Sequence, residues 1–157
     1  MNKLIFLFLI LIGLFQLSSC ESGIVYENYR DFADKKWYAD STVKFTFEVI
    51  DTSKSYHLFY NVRHTIAYPY YNLYVKHSLY SSGKEAKWQR QDGNLMHPTT
   101  GRPLGQGSSD LYDCRFTLFE NYKFDKLGKY TFEIRQDMRL DTLPEILAIG
   151  FRLEHSE

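Results

Sequence analysis

The sequence predicts an all-β protein, a single antiparallel β-sandwich of jelly-roll-like form, and three observations predict it. Apolar residues recur at every second position in one run after another, the signature of strands with one buried and one wet face. Aromatic residues are in excess, with 13 Tyr and 12 Phe in a chain of 157, and such side chains fit a pleated, half-buried surface better than a helix. Turn signals separate the runs at short intervals, as expected for a sandwich or barrel. No stretch longer than a couple of turns carries the i, i+3, i+4 apolar stripe of a packed helix.

The chain opens on Met1-Asn2-Lys3, an apolar run from Leu4 to Leu17, and then Leu17-Ser18-Ser19-Cys20. A positive start, a short apolar core and small residues before a cut site make a secretory signal peptide over residues 1–19. The run falls short of the roughly 20 residues needed to cross a bilayer. The tetrapeptide ending in Cys20 resembles the bacterial lipobox, whose cysteine takes a diacylglycerol on its sulfur before cleavage. Cys20 is therefore the expected lipidation site, with residues 20–25 as lipidated cysteine and tether and residues 26–157 as the sandwich domain. At about 0.8 kcal/mol per buried methylene, two or three acyl chains hold far more firmly than one. The plainer alternative is an ordinary secreted protein in which Cys20 is incidental.

Removing residues 1–19 leaves 138 of the 157, a length that suits one domain. The whole chain carries 19 Lys and Arg against 19 Asp and Glu. Losing Lys3 with the leader barely disturbs that balance, so neither a nucleic-acid face nor a polyanionic tail is indicated. With Cys20 acylated, Cys114 has no partner for an intramolecular disulfide. It alternates with Tyr112, Phe116 and Leu118, which places it on an inward face as a small hydrophobe.

The elements follow in order. Residues 21–30 lack periodicity and read as a tether and lead-in, with the domain beginning near Tyr26. A helical turn is plausible only around Asp31–Lys36. Val43, Phe45, Phe47 and Val49 mark the first clear strand; Tyr56, Leu58, Tyr60 and Val62 mark the next. Leu73, Val75 and His77 begin a third that ends near Tyr80, before the turn Ser81-Ser82-Gly83. Tyr112–Leu118 makes a fourth. Tyr130, Phe132 and Ile134 follow the turn Lys126-Leu127-Gly128, and Leu147–Leu153 closes the chain. Gln91–Asp110, rich in Gly, Pro and hydroxyl residues, reads as a long loop, and loops of that length tend to be functional or disordered.

No enzyme motif or cofactor site emerges. The five histidines are scattered, without the HxxxH or HExxH spacing of a zinc site. Ser108-Ser109-Asp110 lacks the Gly-x-Ser-x-Gly spacing of a nucleophile turn. Gly101, Gly105 and Gly107 precede no helix that would receive a phosphate.

Three clusters can face a partner. Arg63, Tyr68, Tyr70, Asn72 and Tyr74 lie in a tyrosine-rich turn between two strands. Tyrosines are amphipathic and enriched at interfaces, although Tyr-Pro-Tyr packing a corner serves equally well. Thr100, Arg102 and Asp110 belong to the long loop, whose alternative role is to cover a sheet edge. Arg139 stands in the third cluster, where local pairing with Asp141 would shape the turn before the last strand.

These clusters carry a resemblance. Arg63-x-Thr-x-x-Tyr68-Pro69-Tyr70-x-Asn72-Leu73-Tyr74, Thr100-Gly101-x-Pro103-Leu104-Gly105-x-Gly107, and Gln136-x-Met138-Arg139-x-Asp141-x-Leu143-Pro144 with Gly150 closely resemble the gliding motility lipoprotein GldH family of Bacteroidota. The chain departs from that pattern at Glu145, where Gly is expected, and at Ser108-Ser109, a place where Gly or Leu is frequent. The resemblance implies a non-catalytic lipoprotein of the gliding machinery, linked in that phylum to type IX secretion. It implies protein partners in the envelope and no catalytic residues. A single acidic residue after the lipobox, Glu21, favours the periplasmic face of the outer membrane. The competing expectation is a carbohydrate-binding lipoprotein using exposed Tyr with Trp37 or Trp88; a glycan hydrolase with two converging carboxylates ranks below it.

Overall fold

A computed structural model describes residues 23–156; the leader and Cys20 lie outside the described residues. The eleven strands are β1 (Ile24–Asp31), β2 (Lys36–Tyr38), β3 (Val43–Val49), β4 (Tyr56–Thr65), β5 (Asn72–Ser81), β6 (Gln89–Asn94), β7 (Gln106–Ser108), β8 (Leu111–Tyr122), β9 (Gly128–Gln136), β10 (Thr142–Pro144) and β11 (Ile146–His155). One sheet has the order β1-β11-β4-β8-β7, the other β3-β9-β5-β6, and β2 pairs with β10 in a small ribbon. Every pairing is antiparallel. Set aside the short β2, β7 and β10, and consecutive strands alternate between the sheets except at the β5–β6 hairpin. That is the winding of a jelly roll, as the alternation predicts.

The interior is where the two sets of inward residues meet. β3 buries Val43, Phe45, Phe47 and Val49 and exposes the residues between them. Phe151 of β11 sits at the centre of an aromatic cluster, 4.6 Å from Phe132, 5.2 Å from Phe47 and 6.0 Å from Phe45 between ring centroids. Each such pair contributes about 0.5–1.5 kcal/mol beyond the area it buries. Cys114 is buried among these inward residues, as its phase predicts, and donates its thiol to Leu104 O at 3.1 Å.

Three expectations are corrected. The lead-in is a strand: β1 pairs with β11 from Ile24 to Asp31. As a sheet edge it buries little, so its pattern is not the clean alternation of a central strand. Residues 32–35 form no helix. Lys35 takes a left-handed conformation (φ 55°), its N–H donates to Phe32 O, and Asp34 caps Lys36 N, closing a turn between β1 and β2. The long loop holds two strands, β6 and β7. Between them Leu95 and Met96 are buried, Leu104 N donates to Leu95 O, and Met96 bridges Pro103. Two apolar residues suffice to fasten it.

Candidate functional site

The strands give the sandwich two distinct ends. At one lie the described N-terminus, the β3–β4, β5–β6 and β8–β9 connections, and the end of β11. At the other lie the β4–β5, β6–β7 and β9–β10 loops. β4 and β11, ten residues each, span the distance between, about 30 Å at ~3.3 Å per residue. The three sequence clusters are drawn towards the second end because strands β4, β6 and β9 all finish there while β5 begins there.

The β4–β5 loop joins the three clusters by backbone bonds. Ile66 N donates to Asp110 O at 2.9 Å, and Leu95 N and Met96 N both donate to Tyr71 O. Asp137 N donates to Tyr74 O at 2.7 Å, and Tyr74 N meets Met138 Sδ at 3.3 Å. Below, Thr65 Oγ1 donates to Glu145 Oε2 and Thr65 N to Glu145 O. Glu145 has φ 63°, in the left-handed region where its family counterpart is expected to be glycine,.

The expected partner-facing residues divide. Thr100, Arg102, Asp110 and Arg139 are exposed at this end, and Tyr70 is half-buried. The Thr100 loop is shaped by His97, whose Nδ1 accepts from Thr99 N and Thr100 N while Gly101 N donates to His97 O. Arg139 is not among the described ion pairs. Its turn is held instead by Gln136, which donates to Leu140 O and accepts from Met138 N.

Tyr68 is buried: its hydroxyl donates to Asn72 O at 2.9 Å and its ring packs edge-on against Tyr70. Corner packing is its role. Asn72 opens β5, half-buried, and Tyr74 stands two residues on, under the guanidinium of Arg90 at 4.4 Å from its centroid. Arg63 lies on the outer face of the five-stranded sheet, forked onto Asp113 at 3.0 and 3.2 Å.

Sequence reasoning missed the apolar part of this end. Ile66 is 50% and Tyr71 51% exposed, and Leu111 and Leu140 are also exposed. Ile66 and Tyr71 fall outside the alternating runs, which was their only signal.

A second feature also escaped it. Tyr29, Asn61, Gly105, Gln106, Asp113 and Arg115 line a depression of about 450 Å³ on the outer face of the five-stranded sheet. Buried Asn61 donates to the Tyr29 hydroxyl at 3.0 Å and accepts from Arg115 Nε at 3.3 Å. Gly105, at φ 85°, lies so close to Asp113 that no side chain fits there. Burial first, then the Glu27 carboxylate, holds the Tyr29 phenol above its ordinary pKa. These residues meet only once the register Asn61↔Arg115 and Arg63↔Asp113 is known.

Trp37, one of two expected sugar-stacking residues, is 0% exposed, so it is a core residue; Trp88 is half-buried with the Arg135 guanidinium 4.5 Å from its ring. Among the described residues no group of three or more His, Cys, Asp or Glu is placed to hold a metal ion.

A jelly roll whose motif-bearing loops gather at one end defines a single-domain, all-β sandwich protein. Residues 24–153 match the GldH lipoprotein family, and the chain belongs to it. Membership makes it a lipid-anchored protein of the cell envelope. The "Gliding motility lipoprotein GldH homolog" of Christiangramia forsetii is 34% identical, over 98% of this chain and 96% of that one. The "Gliding motility lipoprotein GldH" of Flavobacterium johnsoniae is 28% identical, over 95% and 96% respectively. Among solved structures, a family GH115 4-O-methyl-α-glucuronidase is similar at TM-score 0.41 and 11% identity, covering 86% of this chain and 17% of that one. Chicken MD-1 complexed with lipid IVa is similar at 0.35 and 13%, covering 83% and 90%. Neither structural likeness bears on function.

Proposed function

We propose that this chain is a non-catalytic component of the gliding machinery, and through it of type IX secretion. In this reading Cys20 is acylated, on the periplasmic face of the outer membrane, and the loop end of the sandwich docks on another envelope protein. The observation that carries the reading is the gathering of the β4–β5, β6–β7 and β9–β10 loops at the end away from residue 23, with Ile66, Tyr71, Leu111 and Leu140 exposed among them. Exposed apolar and aromatic side chains rimmed by Arg102, Asp110 and Arg139 have the make-up of a protein interface. Deletion of the gene in a gliding host is expected to abolish colony spreading. Tyr71→Asp with Leu111→Asp should leave the protein in the envelope yet fail to restore spreading. Normal spreading after deletion would refute the reading for that host.

A second reading, carbohydrate binding, is favoured by one feature, the depression lined by Asn61, Gln106, Asp113 and Arg115. Its donors and acceptors suit a hydroxyl-rich or acidic sugar. Glycan-array binding that disappears with Arg115→Ala would support it over the first.

A further inference from the structure

The two most exposed large apolar side chains described are Ile50, 78% exposed, and Leu127, 64% exposed. The β3–β9 ladder ends at the pair Val49↔Gly128; Ile50 directly follows Val49 and Leu127 directly precedes Gly128. Isolated exposed apolar residues are ordinary on a protein surface, but these two flank the last pair of one ladder, at the same end of the sandwich. Ile24 and Val25 of β1, also exposed, begin at that end.

It is the end at which the tether arrives. Gly23 is fastened to the last strand, its carbonyl accepting from His155 N at 2.7 Å. Only Glu21 and Ser22 stand between Gly23 and Cys20, so the two Cα atoms are at most about 11 Å apart at ~3.6 Å per residue. An acyl chain on Cys20 therefore keeps this end against the bilayer.

The charge at this end fits an anionic surface. Its three connections, residues 50–55, 82–88 and 123–127, carry Lys54, Lys84, Lys87, Lys123 and Lys126 against Asp51, Glu85 and Asp125, with Glu21 of the tether a fourth acid. All five lysines are exposed, and none makes an ion pair with a described residue. Asp51 already accepts from both the backbone and the hydroxyl of Ser53. At the loop end the sign reverses: Asp34, Asp40, Asp110, Asp141 and Glu145 outnumber Lys35, Arg102 and Arg139, while Asp137 is ion-paired with Lys76 and Arg90.

We infer that the tether end is a second membrane contact, in which Ile50 and Leu127 enter the interfacial layer of an anionic bilayer and the surrounding lysines rest on its headgroups. Apolar tips beside cations are the combination that binds such an interface, and stable anchoring commonly takes an acyl chain plus a basic patch. The consequence is orientation. The long axis stands away from the membrane and the loop end is presented about 30 Å out, at ~3.3 Å per strand residue. The inference rests on the proposed acylation of Cys20.

The test uses the lipidated protein in vesicles of phosphatidylethanolamine and phosphatidylglycerol. An environment-sensitive fluorophore is placed singly at Ile50→Cys, Leu127→Cys or Tyr71→Cys. The labels at 50 and 127 should be quenched by spin-labelled lipid and shielded from aqueous iodide, and the label at 71 should behave oppositely. Lys84→Glu with Lys126→Glu should weaken the shielding at 50 and 127. In the unsubstituted protein, vesicles should slow amide exchange in residues 50–55 and 123–127 selectively. If the protein floats with the vesicles but 50 and 127 stay as open to iodide as 71, this inference falls and the anchor stands. If protein with Cys20 intact does not float, both fall.

Discussion

The ring of Tyr29 lies across the backbone of Gly150, its partner in the β1–β11 ladder, so closely that a Cβ on Gly150 would stand 2.5 Å from ring carbon Cε1. The arrangement holds an edge strand to its neighbour and aims the Tyr29 hydroxyl at Asn61 Nδ2, 3.0 Å away. The Arg63 guanidinium lies 5.6 Å from the ring centroid. An aromatic ring covering a cross-strand glycine is one way a sheet edge is pinned in register.

Gly150→Ala is therefore expected to destabilise the domain by about 1–3 kcal/mol, the usual cost of forcing an extra group into a packed contact. The methyl group should cost much less in a Tyr29→Ala background. Urea denaturation of the two single variants and the double variant measures the coupling; strictly additive losses would contradict the contact.

Cys114 should be chemically silent. Burial first, and then the Asp113 carboxylate, pushes its thiol up to about 11, and the thiolate is the reactive form. Modification by a thiol reagent at neutral pH is expected only on the timescale of unfolding. Labelling within minutes in the native protein would show that the interior between β8 and Leu104 is open.

His64 and His77 give the domain a pH dependence of known sign. Burial lowers both pKa values below 6.5. Around His64, the carbonyl of Thr65 and then the Asp113 carboxylate pull the other way without overcoming it. In the folded chain both rings bind a proton less readily than in the unfolded chain, where each protonates as pH falls below 6.5, so unfolding takes up protons,. Their contribution is complete above pH 6.5 and declines as the pH drops through and below that value. Thermal melts from pH 8 to pH 5 should show the decline, and His77→Gln should remove part of it. An unchanged slope in that variant would contradict the assignment.

Ser109 is held in the left-handed region at φ 58° on an exposed turn. Ser109→Gly is expected to stabilise the domain, by up to about 1 kcal/mol, since the left-handed conformation costs an ordinary residue about 1–2 kcal/mol and glycine returns part of that as backbone entropy. Glu145→Gly should gain less or lose, because Glu145 also accepts the hydroxyl of Thr65. Equal responses in chemical denaturation would count against that hydrogen bond.

These two residues show what was legible in the sequence. Both mark places where the chain departs from its family's pattern, and both turn out to sit where the backbone favours glycine. The clear strands were legible too, because Val43–Val49 has one dry and one wet face and Tyr56–Val62 alternates fully buried with less buried or polar positions, so burial follows residue order. β1 was not, since an edge strand has little to bury. β6 and β7 were hidden because they too lie at edges and expose most of their side chains. The amphipathic character of Tyr68 suits a partner face and a packed corner equally; its hydroxyl is satisfied by Asn72 O and its ring is interior. Residue type alone does not decide between those roles. The shelf of Asn61, Asp113 and Arg115 depends on cross-strand register, which local sequence does not contain.

In the proposed reading the two ends of one sandwich have opposite roles, one facing lipid and the other facing protein. Site-specific photo-crosslinking in a gliding host tests it most directly, with the photoreactive residue placed at Tyr71 in one strain and at Lys54 in another. The account predicts a discrete adduct with an envelope protein from position 71 and none from position 54. The same protein adduct from position 54, or none from position 71 in cells that still spread, would contradict it.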